Sequence, residues 1–267
     1  MIRLAVLGDP LRYTRSPELH RAGFEVLGVP GESFALRTPA EALASRLAEL
    51  AAGGYTGVNL THPLKEAALT LVTRVSPASA ASRSINTIGF DGRERWGDTT
   101  DGSGFVDLLR SLRREPARER ALLFGSGGAS RSLALALGEA GAQVTVASRD
   151  PVRARDSWSA IPGAALVSTE GAEIDAMLRG ATLIVNGTPS SSATEPSPVT
   201  RLPRGALLVD LTYGESPTGW VSAARAAGLD AIDGLGLLVH QARRSLSLWF
   251  HRDVPLEPLA RAVGWAP

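Results

Sequence analysis

The stretch Ala121-Leu122-Leu123-Phe124-Gly125-Ser126-Gly127-Gly128-Ala129-Ser130-Arg131 constrains the fold of this chain more than any other. An apolar run of strand length passes into a glycine turn, then into the start of a helix, and the next strand-like run begins at Gln143. That order of elements is the opening unit of a dinucleotide-binding α/β fold. Gly125 permits the tight turn, and Gly127 lets the backbone approach a pyrophosphate. The helix start at Gly128 and Ala129, with Ser126 in the turn before it, offers free N–H groups and the positive end of a helix dipole to an anion.

The same alternation runs through most of the chain. Short aliphatic runs predict strands over Ile2–Leu7, Ser33–Arg37 and Gly57–Thr61, with helices over Pro17–Leu27, Ala40–Ala51 and Leu64–Thr73. Such βαβ repetition builds a mostly parallel sheet. Asn86 to Thr99 differs, because two extended runs flank Asp91-Gly92, a hairpin signal. A helix over Gly104–Arg113 leads into the charged, proline-broken run Arg113–Arg120, which reads as a solvated boundary. Beyond it, strands are expected at Ala121–Phe124, Gln143–Ala147, Ala165–Ser168, Thr182–Asn186, Ala206–Asp210 and Asp230–Ile232. Ser190–Pro198 reads as a loop. A long helix over Leu235–Phe250 and a short one over Glu257–Val263 close the chain.

The second strand of the glycine-turn unit ends in Ser148-Arg149-Asp150, roughly 20 residues beyond the glycines, where such folds meet the adenosine ribose. Arg149 there favours the 2′-phosphate of NADP, with Arg153 adding charge a helical turn on. Asp150 is an opposing signal that keeps NAD open, and an ordinary surface arginine is the alternative for Arg149.

Gly57-Val58-Asn59-Leu60-Thr61-His62-Pro63-Leu64-Lys65 places an amide, a hydroxyl and an ammonium where a strand yields to a helix. Alternation puts Asn59 and Thr61 on one strand face and Val58 and Leu60 on the other. On residues alone this fits a capped strand-to-helix turn as well as a substrate site.

Composition excludes several classes. A formal net charge of +1 gives no electrostatic case for nucleic acid or an anionic membrane. The absence of cysteine removes thiolate chemistry and suits a reducing cytoplasm. No apolar run approaches the roughly 20 residues that span a bilayer, and the N-terminus lacks a signal-peptide core. The four histidines (His20, His62, His240, His251) have no metal-ligand spacing and are expected on helix surfaces or at caps, with no metal bound. The five tryptophans are scattered and read as core and loop packing.

Further segments complete a pattern: Leu7-Gly8-Asp9-Pro10, Thr14-Arg15-Ser16-Pro17, Ile85-Asn86-Thr87, Gly97-Asp98-Thr99-Thr100-Asp101 and Asp233-Gly234 with Gln241. With Gly57–Lys65 and the glycine turn, this order resembles the shikimate/quinate dehydrogenase family from Leu4 to about Trp249. The resemblance implies a two-domain α/β enzyme. A substrate domain would span 1–102 and a Rossmann-type, doubly wound NADP-binding domain 103–233. C-terminal helices over 234–267 would return to the first domain, with the active site in the cleft. It further implies NADPH-dependent reduction of 3-dehydroshikimate to shikimate in a cytoplasmic monomer or homodimer acting on a small molecule. An NAD-using quinate/shikimate dehydrogenase and a weakly active dinucleotide-binding regulator are the alternatives.

By the same resemblance, Lys65 and Asp101 match the catalytic pair, and Thr14 and Ser16 the hydroxyls that hold the substrate carboxylate. Asn59, Thr61, Asn86 and Gln241 match side chains on the ring hydroxyls, and Tyr213 a tyrosine near the substrate. Gly125, Ser126, Gly127, Gly128 and Ala129 match the pyrophosphate loop, and Ser148, Arg149 and Arg153 the adenosine phosphate site. Asn186-Gly187-Thr188-Pro189, Gly234 and Leu237 match the surroundings of the nicotinamide. Departures stand at Tyr13, where His is usual, at Thr99, where Asn is usual, and at Leu237, where Met is typical. Those at Tyr13 and Thr99 bear on pocket shape.

Overall fold

A computed structural model describes residues 1–11, 13–188 and 197–266. It forms two compact units, Met1–Phe105 with Leu238–Pro267, and Val106–Leu237. Pro189 and most of the serine-rich loop expected after it (residues 189–196) lie outside the described residues.

The first unit holds strands β1 (Ile2–Gly8), β2 (Gly31–Arg37), β3 (Gly57–Leu60), β4 (Arg74–Val75), β5 (Thr87–Asp91) and β6 (Glu94–Asp98). Their order across the sheet is β2-β1-β3-β5-β6-β4. β1 runs parallel to β2 and β3, whereas β3–β5 and β5–β6 are antiparallel. The sheet is therefore mixed: the pairings β1–β2, β1–β3 and β4–β6 are parallel, and the two antiparallel pairings both involve the hairpin. The hairpin at Asp91-Gly92 enforces this, with Gly92 at φ +59° making a turn that few other residues accept.

One face of this sheet is apolar. Ala5, Leu7, Val58, Leu60 and Ile88 join a cluster with Leu43, Leu47 and Leu50 of the helix Leu43–Ala52, whose four- and three-residue spacings put them on one helical stripe. The opposite face carries Asn59 and Thr87, and it meets His20 of the helix Ser16–Leu27 and Ser245 of the helix Leu235–Phe250.

The helix expected over Leu64–Thr73 stops early. It is α-helical only over Leu64–Ala67 and tightens to a 3₁₀ turn at Ala68–Thr70. The Lys65 carbonyl, which a longer helix would need, accepts the Ile85 N–H instead at 2.9 Å. A further helix, Pro77–Ser82, begins with Ser76 capping the Ser79 N–H. Ser76-Pro77 is the signal that announces it.

The second unit is a parallel sheet of β7 (Arg120–Phe124), β8 (Gln143–Ser148), β9 (Ala165–Ser168), β10 (Leu183–Asn186), β11 (Leu207–Asp210) and β12 (Asp230–Ile232). The order is β12-β11-β10-β7-β8-β9, and every pairing is parallel. Strand order reverses between β7 and β10, so the carboxyl ends of these strands form a topological switch point, where such sheets bind ligands.

The run Arg113–Arg120 is only in part the solvated stretch its charge implied: Arg113, Glu115, Arg118 and Arg120 are exposed, whereas Glu119 turns inward. Both oxygens of Glu119 accept from Arg114, at 2.9 Å each, and Thr182 Oγ1 donates to Oε2 at 2.6 Å. Glu119 is buried. Pro116 starts a tight turn over Pro116–Arg118 that carries Glu119 back to Arg114, and a buried carboxylate is stable only with such partners.

Candidate active site

In the first unit, the chain leaves β3, turns through Thr61 to Pro63, and presents Lys65 from the short helix Leu64–Ala67. Lys65 Nζ donates to Asp101 Oδ2 at 2.6 Å. Asp101 opens the helix Asp101–Ser111, where a carboxylate also suits the positive dipole end. Its side chain is 7% exposed, against 19% for Lys65, so the ammonium is the more accessible partner.

Asp101 is held from behind. Asn86 Nδ2 donates to Asp101 Oδ1 at 2.8 Å and to Gln241 Oε1 at 2.9 Å. The Thr100 backbone N–H donates to Asn86 Oδ1 at 2.8 Å, which fixes the amide with its nitrogen toward the carboxylate. Lys65, Asp101, Asn86 and Gln241 therefore form one connected group.

Thr14 and Ser16 also come together, with Thr14 Oγ1 donating to Ser16 Oγ at 3.2 Å. Arg15 between them turns away and forms a two-pronged ion pair with Glu18. That hydrogen bond is the main cause holding the guanidinium pKa above its ordinary value. Thr61 is half-buried and packs its methyl over Gly8, where a side chain would overlap it.

Asn59 is buried within the same network. Its Nδ2 donates to Asn86 O (3.0 Å), Thr87 Oγ1 (3.1 Å) and Ser245 Oγ (3.1 Å), and its Oδ1 faces His20 Nε2 at 3.0 Å. With each polar atom engaged and the residue buried, Asn59 braces the site from inside.

Two histidines depart from the expected surface role. His20 is fully buried, and desolvation lowers its pKa to about 4. His240 is also buried, its ring set edge-on to Trp265. His62 and His251 are exposed. Ser245, Thr87 and Thr100 complete the buried network; Thr87 and Thr100 lie in the segments that carry the resemblance, without a role of their own, and Ser245 lies in none. Gln241 and Ser245 sit four residues apart between Leu238, Ala242 and Leu246, so polar residues on a buried helix stripe were the available signal.

In the second unit, Gly125 at φ +101° turns the chain out of β7 against the Gly187 backbone. Arg131 Nη1 and Trp158 Nε1 both donate to Ser126 O and hold the turn. Gly127 caps the helix Gly128–Glu139 with extended backbone and no side-chain cap. A Cβ at Gly127 would meet no protein atom within 4 Å. Nothing within the chain demands glycine there. Uncapped first-turn N–H groups and an open approach over Gly127, Gly128 and Ala129 fit a dinucleotide pyrophosphate.

Ser148 ends β8 with its hydroxyl 3.2 Å from that of Ser126. Arg149 and Arg153 are exposed beside it. Asp150 caps the helix Pro151–Trp158, accepting the Arg153 N–H at 2.9 Å. The carboxylate that spoke for NAD is thus committed to a helix end. Asn186, at the end of β10, accepts from Thr188 N–H and Oγ1 and donates to Asp210 at 3.2 Å, shaping the turn beside the glycines. Tyr213 follows β11 and is half-buried. Leu237 is buried, and Gly234 is required by the Leu211 carbonyl, which a side chain would strike. Gly234 therefore has a purely internal reason to be glycine.

Among the described residues, no cluster of His, Asp and Glu could hold a metal ion, and no helix is long and apolar enough to cross a membrane.

A parallel sheet of this order with a glycine cradle, joined to an α/β unit carrying a lysine–carboxylate pair, defines a nicotinamide-dinucleotide oxidoreductase of the two-unit type. Residues 6–88 match the shikimate dehydrogenase substrate binding domain, and residues 234–263 the shikimate 5′-dehydrogenase C-terminal domain. The shikimate dehydrogenase (NADP(+)) of Gluconobacter oxydans is 36% identical, over 93% of this chain and 90% of that protein. That of Thermus thermophilus is 38% identical, over 93% and 92%. The crystal structure of the Thermus thermophilus shikimate 5-dehydrogenase in complex with NADP(H) and shikimate superposes with a TM-score of 0.87, covering 99% of both chains at 35% identity. The chain belongs to the shikimate dehydrogenase family.

Proposed function

We propose that this chain is an NADP-dependent shikimate dehydrogenase, catalysing the reversible reduction of 3-dehydroshikimate to shikimate on the route to aromatic amino acids. The observation that carries it is the Lys65–Asp101 pair at 2.6 Å, backed by Asn86 and Gln241 and set in a chain 36–38% identical to enzymes of that name.

When bound, NADPH supplies the hydride to the ketone carbon. Negative charge then builds on the ketone oxygen and must be neutralised as it forms. In this reading Lys65 supplies the ammonium that stabilises that oxygen and gives it a proton, leaving a hydroxyl. Asp101 keeps Lys65 aimed, and Asn86 keeps Asp101 aimed. The Thr14–Ser16 pair suits the substrate carboxylate, while Thr61, Gln241 and Tyr213 supply polar contacts for the ring. Gly125 to Ala129 would hold the pyrophosphate, Ser148, Arg149 and Arg153 the 2′-phosphate, and Asn186, Thr188 and Leu237 the surroundings of the nicotinamide. We place the enzyme in the cytoplasm, which a cysteine-free sequence suits, and propose a monomer or homodimer.

The test is oxidation of shikimate with NADP or NAD, followed by absorbance of the reduced nicotinamide. Turnover with NADP preferred is the expected result. Cofactor binding without turnover would leave a dinucleotide-sensing protein, and an NAD preference or faster quinate oxidation would leave a quinate/shikimate dehydrogenase.

A further inference from the structure

We infer that His20, carrying its proton on Nε2, is a positioning residue for Asp101, acting through Asn59, Thr87 and Asn86. The inference rests on the proposed roles of Lys65 and Asp101, but its geometry is independent of them.

Two backbone groups fix the direction of the bonds that lead from His20 to Asp101. The Asn86 carbonyl can only accept, and it lies 3.0 Å from one end of the Asn59 amide, so that end is the nitrogen. The other end, Oδ1, therefore faces His20 Nε2 at 3.0 Å. An amide oxygen can only accept, so Nε2 must bear the proton. The Thr100 N–H can only donate, which makes the nearer end of the Asn86 amide its oxygen and turns Nδ2 to Asp101.

Thr87 links the two amides. Its hydroxyl accepts from Asn59 Nδ2 at 3.1 Å and donates to Asn86 Oδ1 at 2.9 Å. The donors thus run His20 to Asn59 to Thr87 to Asn86 to Asp101, and end on the carboxylate that Lys65 grips from its other oxygen. Ser245 closes the middle of the run, accepting from Asn59 at 3.1 Å while its own hydroxyl reaches Gln241 O at 3.0 Å.

The rear of the imidazole agrees. Ser33 Oγ lies 2.7 Å from Nδ1 and can donate to it only if Nδ1 is bare. Desolvation keeps the ring neutral, so one nitrogen must be bare. The opposite tautomer would set a lone pair against Asn59 Oδ1. Asn59 would then have to flip, setting its oxygen against the Asn86 carbonyl, and a Thr87 hydroxyl turned to donate to that oxygen would be lost to Asn86, which it helps hold toward Asp101. The edge-on contact of His20 with Trp249, whose own N–H donates to Ile88 O, keeps the ring plane from turning.

Two substitutions separate this role from simple packing. His20→Gln keeps a donor where Nε2 stood, whereas His20→Asn keeps a polar group only near Nδ1. H20Q is expected to hold kcat for shikimate oxidation within about threefold, and H20N to lower it by about tenfold or more, the scale for losing a buried hydrogen bond. The KM for NADP should change in neither. The wild-type imidazole provides a measurement that needs no variant: ¹⁵N NMR at neutral pH should show the Nε2–H tautomer. A proton on Nδ1, an H20N enzyme as fast as wild type, or equal losses in both variants would each overturn the inference. Wild-type protein that turns over no shikimate at all would instead remove the proposed reaction.

Discussion

Lowering the pH should weaken the fold through His20 in a way that one substitution can isolate. The perturbation is a shift from pH 7 to pH 5. His20 has a pKa of about 4 in the folded chain against an ordinary 6.5, because burial penalises the imidazolium. Between those values the unfolded chain holds a proton that the folded chain lacks, so stability falls as the pH falls. The contribution is whole above about pH 6.5 and is lost progressively toward pH 4. The gap from 6.5 to about 4, at about 1.4 kcal/mol for each tenfold change, amounts to about 3 kcal/mol, of which about 2 kcal/mol falls between pH 7 and pH 5. Urea unfolding of wild type and His20→Gln across this range, followed by tryptophan fluorescence, measures it. Other titrating groups contribute to both proteins, so the difference between the two curves belongs to His20. A difference that stays constant from pH 7 to pH 5 would refute the reasoning, and with it the neutral, dry environment of the ring.

Lys65→Ala should lower kcat by about a hundred- to a thousandfold while changing the KM for shikimate far less; steady-state kinetics showing the reverse would move Lys65 from chemistry to binding. Arg149→Gln should raise the KM for NADP by about ten- to a hundredfold and leave that for NAD little changed, and an equal effect on both cofactors would return Arg149 to an ordinary surface role. Gly127→Ala should leave the thermal midpoint little changed, because a Cβ there meets no protein atom within 4 Å, yet weaken NADP binding in a fluorescence titration. Gly234→Ala should do the opposite and destabilise the fold through the Leu211 carbonyl.

Local pattern carried the architecture far. The parallel unit was legible because each of its strands is a short aliphatic run, and the glycine turn at Gly125 marks where the first strand gives way to a helix. The pairing of Lys65 with Asp101, the proposed catalytic pair, was legible only through resemblance to a family, since the two are 36 residues apart and nothing nearby in sequence joins them. Contacts such as Asn86 with Gln241 and Thr87 with Ser245, more than 150 residues apart, lie beyond any periodicity. His20 was misjudged for the same reason, because its partners Ser33 and Asn59 lie on strands, not on its own helix. Glu119 was misjudged because a run of charges looks alike whether its members face water or one another.

The sheet of the first unit, greasy on one side and hydrogen-bonded on the other, divides its own freedom to vary. Behind Val58 and Leu60, one aliphatic side chain can replace another of similar volume at a penalty below about 1.5 kcal/mol. Across the same strand, Asn59 admits no such exchange, since any replacement leaves a histidine, a threonine, a serine or a carbonyl without its partner. Alternate residues of one four-residue strand should therefore drift and freeze in turn over generations, and a saturation library across Gly57–Leu60 should show that every-other-residue rhythm directly.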